Sequence, residues 1–144
     1  MTYESHSTEQ TKKIAADFSK TLHGGEVIAL IGDLGSGKTT FVQGIAEALG
    51  STVRVKSPTF AIMHEYPVTH TLIKKIVHLD LYRFKQSVHL EALALEDEKN
   101  DHTVIFLEWP NMVDYLPAQP TQTITFTYKT ENERTIEMKE ISII

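Results

Sequence analysis

Gly32-Asp33-Leu34-Gly35-Ser36-Gly37-Lys38-Thr39 carries the clearest chemical signal in this sequence: a glycine, four residues, a second glycine, a lysine and a hydroxyl residue. Phosphate binding uses that order. The glycines let the backbone bend until successive N–H groups point inward, where they and the positive end of a following helix hold phosphate oxygens. Lys38 then reaches the β and γ phosphates of a nucleotide, and the Thr39 hydroxyl suits Mg2+, a hard cation that takes oxygen ligands in octahedral geometry. Asp33, Leu34, Gly35, Ser36, Gly37 and Thr40 complete the stretch that would cradle ATP or ADP. A glycine-rich turn beside an ordinary surface lysine is the bland alternative, and the flanking sequence argues against it.

Two carboxylates stand at the ends of apolar runs, Asp80 after Ile76-Val77-His78-Leu79 and Glu108 after Thr103-Val104-Ile105-Phe106-Leu107. In open α/β sheets, ligands bind outside the carboxyl ends of the strands, so both acids can share a crevice with the glycine loop. Asp80 reads as a ligand of the Mg2+ shell. Glu108 reads either as an outer-shell ligand of the same ion or as the base that orients an attacking water. Lys38, Asp80 and Glu108 are thus the candidate catalytic set, and Thr39, Asp80 and Glu108 the candidate metal set. In Lys56-Ser57-Pro58-Thr59-Phe60, Pro58 holds Ser57 extended and displays two hydroxyls, Ser57 and Thr59, which either sense a γ phosphate or its metal or serve only to cap and turn the chain. His78, between buried strand residues, reads as a core histidine rather than a catalyst.

The elements that must position these groups follow from apolar spacing. Val27-Ile28-Ala29-Leu30-Ile31 is a continuous apolar run, as in a strand buried on both faces, and Phe41, Ile45 and Leu49 recur at helical spacing before Gly50. Strand, glycine loop and helix therefore come in the order that phosphate binding requires. Upstream, Ser7-Thr8-Glu9-Gln10 forms a capping box with Gln10 reaching back, Ile14, Ala15, Phe18 and Leu22 mark one helix face, and Gly24-Gly25 ends that helix. Val53-Arg54-Val55 is β-like. Phe60 to Tyr66 and Leu72 to Leu79 suggest a hairpin or neighbouring strands, and Gln86 to Asn100 a helix with an acidic face. Ile124, Phe126 and Tyr128, then Ile136 and Met138, alternate about a polar turn at Lys129 to Glu133, with a bulge expected between Met138 and Ile141. The expected fold is α/β: one three-layer domain over residues 1–144 of the P-loop NTPase kind, with a mainly parallel central sheet extended by antiparallel strands.

Composition bounds the rest. A length of 144 residues suits a single domain, and a net charge of -5 offers no basic footprint for gripping tRNA or DNA directly. With no cysteine, disulfides and thiolate metal sites are excluded, and the seven histidines form no zinc-ligand pattern. No apolar run approaches membrane-spanning length and Met1 to Gln10 lacks a signal-peptide core, so a cytoplasmic location is expected.

Several motifs together resemble the TsaE family: Ser7-Thr8-Glu9-Gln10-Thr11, the glycine loop through Thr40, Ser57-Pro58-Thr59-Phe60, His78-Leu79-Asp80-Leu81-Tyr82-Arg83 and Glu108-Trp109-Pro110. The likeness runs from Ser7 to about Pro117. It implies a small bacterial ATPase required for making threonylcarbamoyladenosine at position 37 of tRNAs. By that resemblance, Lys38 and Thr39 bind phosphate and Mg2+, Asp80 and Glu108 serve the metal and hydrolysis, Ser57 and Thr59 lie in a switch-like loop, and Thr11 approaches the nucleotide base. The implied partner is a heterodimer of TsaB and TsaD that ATP hydrolysis resets between turnovers, with tRNA met only through that complex and no membrane involved. Asn111 and Ala94 depart from the family pattern, where an acidic residue and a glycine are usual.

Two other functions use the same loop. A nucleotide-gated binding module would let ATP order the Ser57–Thr59 segment, with hydrolysis incidental. A small-molecule kinase would need arginines to clamp the moving phosphate, and Arg54, Arg83 and Arg134 form no arginine-rich lid.

Overall fold

Among the described residues, seven strands and two helices follow one another in the order β1 (Thr2–Ser5), α1 (Thr8–Ser19), β2 (Val27–Gly32), α2 (Lys38–Ala48), β3 (Met63–Pro67), β4 (Lys75–Asp80), β5 (Thr103–Glu108), β6 (Gln122–Tyr128) and β7 (Arg134–Glu140). The structure, a computed structural model, describes residues 1–33, 36–52, 63–80, 100–108 and 119–140, the Asp80 side chain excepted. Leu34, Gly35, Ser57 and Thr59 lie outside the described residues. So do the run at Val53-Arg54-Val55, the helix expected within Gln86 to Asn100 up to position 99, Trp109, and the bulge expected near Ile141.

All seven strands form one mixed sheet in the order β1-β7-β6-β2-β5-β4-β3. The four central strands, β6, β2, β5 and β4, run parallel, and β7 and β3 are antiparallel to their inner neighbours. Parallel strands need crossovers and cover on both faces. That cover is visible in the residues: Ile28 and Leu30 on one face of β2 and Val27 and Ala29 on the other are all buried, as is every residue of β5.

One sequence expectation is corrected here. The Ile124, Phe126, Tyr128 strand was expected as an antiparallel extension, yet β6 pairs in parallel with β2, matching Ile28 to Gln122 and Gly32 to Phe126. Only one side of β6 is fully buried, so it alternates like an antiparallel strand while sitting inside the parallel set. The antiparallel extension on this side begins at β7 and is completed by β1, in a stretch for which no strand was expected. Thr2 faces Glu137 and Ser5 faces Arg134 across that pairing. Lys129 bonds Glu4 at 2.8 Å over the same corner, which holds the Glu4 carboxyl below its usual range and raises Lys129.

Helix α1 starts where expected, with the Ser7 hydroxyl accepting from the Gln10 N–H at 3.0 Å. The Gln10 side chain reaches one residue further back than a capping box requires, to the His6 N–H at 2.8 Å. The helix ends at Ser19, before the glycine pair expected to stop it. Gly24 instead passes against the carbonyl of Asp101, where no β-carbon fits.

Helices α1 and α2 pack on each other and on the even-numbered face of the sheet. Phe41 bridges the layers, meeting Phe18 of α1 at 5.8 Å and Phe126 of β6 edge-on at 5.4 Å between ring centroids. The two helices cross at Gly44. A β-carbon there would lie 2.9 Å from Ala15 Cβ and 2.9 Å from Lys12 Cα, so backbone must move to admit it. Alanine has the better helix propensity, but separating the helices outweighs it. Gly44→Ala is expected to destabilise the fold by about 1–2 kcal/mol, read as a lower urea midpoint. Among the described residues, no helix is long and apolar enough to cross a membrane.

Candidate active site

The carboxyl ends of β2, β5 and β4 lie level in the sheet. Leu30 of β2 is the register partner of Glu108 of β5, and Glu108 in turn is the partner of Asp80 of β4. Two residues beyond Leu30, β2 ends in Gly32 and the chain enters the glycine loop, which returns as α2 from Lys38. The sheet thus brings the loop, Glu108 and the Asp80 position to one edge, as the apolar runs ending in carboxylates implied.

The described part of the loop is tightly drawn. A β-carbon on Gly32 would sit 2.7 Å from the Phe126 carbonyl oxygen and 2.7 Å from Ser36 Oγ. Gly37 has φ of +107°, a conformation that favours glycine, and forms the N-cap of α2 without any side-chain cap. The first turn of α2 therefore has no capping oxygen of its own, in contrast to the serine-capped α1. Ser36 is buried, and its hydroxyl has no hydrogen-bond partner among the described residues. Lys38 is also buried, and its ammonium donates to the carbonyl of Gly32, back across the loop. Thr39 and Thr40 are half-buried in the first helical turn, and Asp33 is exposed, its carbonyl accepting from the Ser36 N–H at 3.1 Å.

These features fit a phosphate group: a glycine cradle, an uncapped helix N-terminus, a buried hydroxyl lacking a partner and an ammonium held at the loop. The Thr39 hydroxyl, in the first turn of α2, is an oxygen donor of the kind that a hard cation takes together with phosphate and water oxygens. Among the described residues, no three His, Cys, Asp or Glu side chains gather as a metal cage.

Two residues not expected at the site belong to this edge. Arg134, the first residue of β7, covers Gly37, with its Cδ 3.1 Å and its Nε 3.2 Å from where a β-carbon would stand. No local motif announces that contact, because it depends on β7 lying beside β6 across the sheet. His78 is fully buried as expected of a core histidine, yet its Nε2 lies 2.7 Å from Glu108 Oε1. Its place two residues before Asp80 in a parallel strand was the available signal, since period-two geometry puts His78 on the face that β5 presents with Glu108. Thr11 is buried in α1 with its hydroxyl 2.6 Å from that of Ser5, a contact that ties α1 to β1.

Comparison with known proteins places this architecture. A family described as "Threonylcarbamoyl adenosine biosynthesis protein TsaE" matches residues 5–136. A Bacillus subtilis protein named tRNA threonylcarbamoyladenosine biosynthesis protein TsaE is 35% identical over 135 residues, covering 94% of this chain and 80% of its own length. A protein of the same name from Nostoc sp. is 36% identical over 134 residues, covering 90% and 80%. The crystal structure of Bacillus subtilis YdiB superposes with a TM-score of 0.71 at 27% identity, over 99% of this chain and 86% of that one. Sequence and fold agree: the chain belongs to the TsaE family.

Proposed function

We propose that this protein is a Mg2+-dependent ATPase of the P-loop NTPase kind that supports threonylcarbamoyladenosine formation on tRNA. The observation that carries this reading is the Lys38 ammonium folded over the glycine cradle at the head of α2, on the sheet edge that also holds Glu108 and Asp80. Family membership supplies the pathway, since the relatives carry tRNA threonylcarbamoyladenosine biosynthesis in their names.

Backbone N–H groups of the loop and Lys38 hold the β and γ phosphates, and the Ser36 hydroxyl gains the partner it lacks. Thr39, Asp80 and Glu108 would hold Mg2+, directly or through water; the bound ion neutralises charge on the phosphates. Glu108 orients a water in line with the terminal phosphorus. As the water oxygen bonds to phosphorus, the bond to the β–γ bridging oxygen breaks, ADP departs with the electron pair, and the water's proton passes to Glu108 and on to the released phosphate. Ser57 and Thr59 are the hydroxyls that sense the γ phosphate and report its presence to the partner.

That partner is a TsaB–TsaD heterodimer, reset between turnovers, with tRNA reached only through it. Steady-state hydrolysis of ATP by the purified protein, alone and with TsaB–TsaD, tests the reading. The complex should stimulate turnover. Tight ATP binding without turnover in either condition would turn the assignment into a nucleotide-gated binding module.

A further inference from the structure

His78 and Glu108 meet in a setting that fixes the proton between them. Their side chains are 0% and 6% exposed, and Nε2 stands 2.7 Å from Oε1. One proton occupies that line, either on Nε2 with a carboxylate accepting, or on Oε1 with a bare ring nitrogen accepting. The far side of the ring decides between them. Nδ1 is buried and has no hydrogen-bond partner among the described residues. With the proton on Glu108, a neutral His78 would carry its own on Nδ1, leaving a buried N–H with nothing to donate to, the rarer and costlier kind of orphan. With the proton on Nε2, Nδ1 keeps only a lone pair. The ring therefore donates from Nε2 and Glu108 accepts through Oε1.

That bond commits half of the carboxylate. Strand β4 fixes the ring, the ring fixes Oε1, and the little exposure left to the pair belongs to Glu108. We propose that His78 is a positioning residue whose Nε2–H clamps Oε1 of Glu108, so that the carboxylate meets the attacking water through Oε2 alone. This rests on the hydrolytic reading above and sharpens it. Glu108 acts as a one-oxygen orienter of water, accepting the water's proton on Oε2 as the oxygen–phosphorus bond forms, and does not grip a metal with both oxygens.

Two measurements test this. Imidazole proton–nitrogen correlation spectra of histidine-labelled protein, with His78 assigned by its loss in His78→Gln, should show Nε2 protonated and Nδ1 bare; a ring protonated on Nδ1 alone overturns the clamp. In parallel, His78→Leu should lower kcat for ATP roughly tenfold to a hundredfold without changing ATP affinity, and His78→Gln, which keeps an N–H donor, should recover part of that loss. A folded His78→Leu protein with normal kcat overturns the proposal. So does a joint loss of kcat, ATP binding and melting temperature that glutamine fails to rescue, which is the mark of a purely structural role. A wild-type protein without Lys38-dependent turnover would remove the hydrolytic reading itself, and the ring spectrum keeps that failure separate.

Discussion

Lys38→Ala should abolish useful ATP binding, weakening affinity by a hundredfold or more in isothermal titration with Mg2+ present. Lys38 is buried at the head of α2 and its ammonium is held by the Gly32 carbonyl, so the charge already stands at the loop before any ligand arrives. Removing one member of a buried, hydrogen-bonded charge pair costs roughly 2–5 kcal/mol, and about 1.4 kcal/mol is a tenfold change in affinity. Arginine is no substitute, because its planar fork is wider than the ammonium that fits here. The variant should still fold, since the methylenes it loses are few beside the Phe18, Phe41 and Phe126 cluster underneath. ATP binding within twofold of wild type by a folded Lys38→Ala protein would dismiss the phosphate site.

The second large effect concerns turnover rather than binding. Glu108→Gln keeps the size of the side chain and an oxygen able to accept from His78, while removing the charge and the proton-accepting oxygen. Hydrolysis should fall by roughly a hundredfold or more, the usual scale for a lost acid–base or water-orienting group, with ATP affinity little changed. Quenched-flow or phosphate-release kinetics would separate the two quantities. A glutamine variant turning over normally would assign Glu108 to the fold, where its burial and its histidine partner would suffice to explain it.

Much of this site could be read from sequence because its signals are local. A glycine loop between an apolar run and a helical stripe needs no knowledge of tertiary structure, and β2 and α2 flank it as expected. Asp80 and Glu108 were legible for a similar reason: apolar runs ending in acids place those acids at strand ends, and the register partners them. Contacts between distant segments were not legible. β1 is four polar-looking residues whose strand character exists only opposite β7, and Arg134 reaches Gly37 only because of the strand order. His78 shows the limit from the other side. Its flanking residues announce burial and its spacing from Asp80 gives its face, but only the pairing of β4 with β5 brings the Glu108 oxygen beside the ring.

The pairing of β1 with β7 also bears on how the protein is made. Residues 2–5 are synthesised long before residues 134–137, the strand they pair with. Contacts of such long sequence separation are slow to form, and β1 has no strand beside it until β7 is made. Arg134 arrives in the same late step, so the glycine loop acquires the side chain that covers Gly37 only as β7 docks. A nascent chain arrested before β7 would carry the loop and α2 without that cover, and the proposed phosphate site would be completed only with the closing of the sheet.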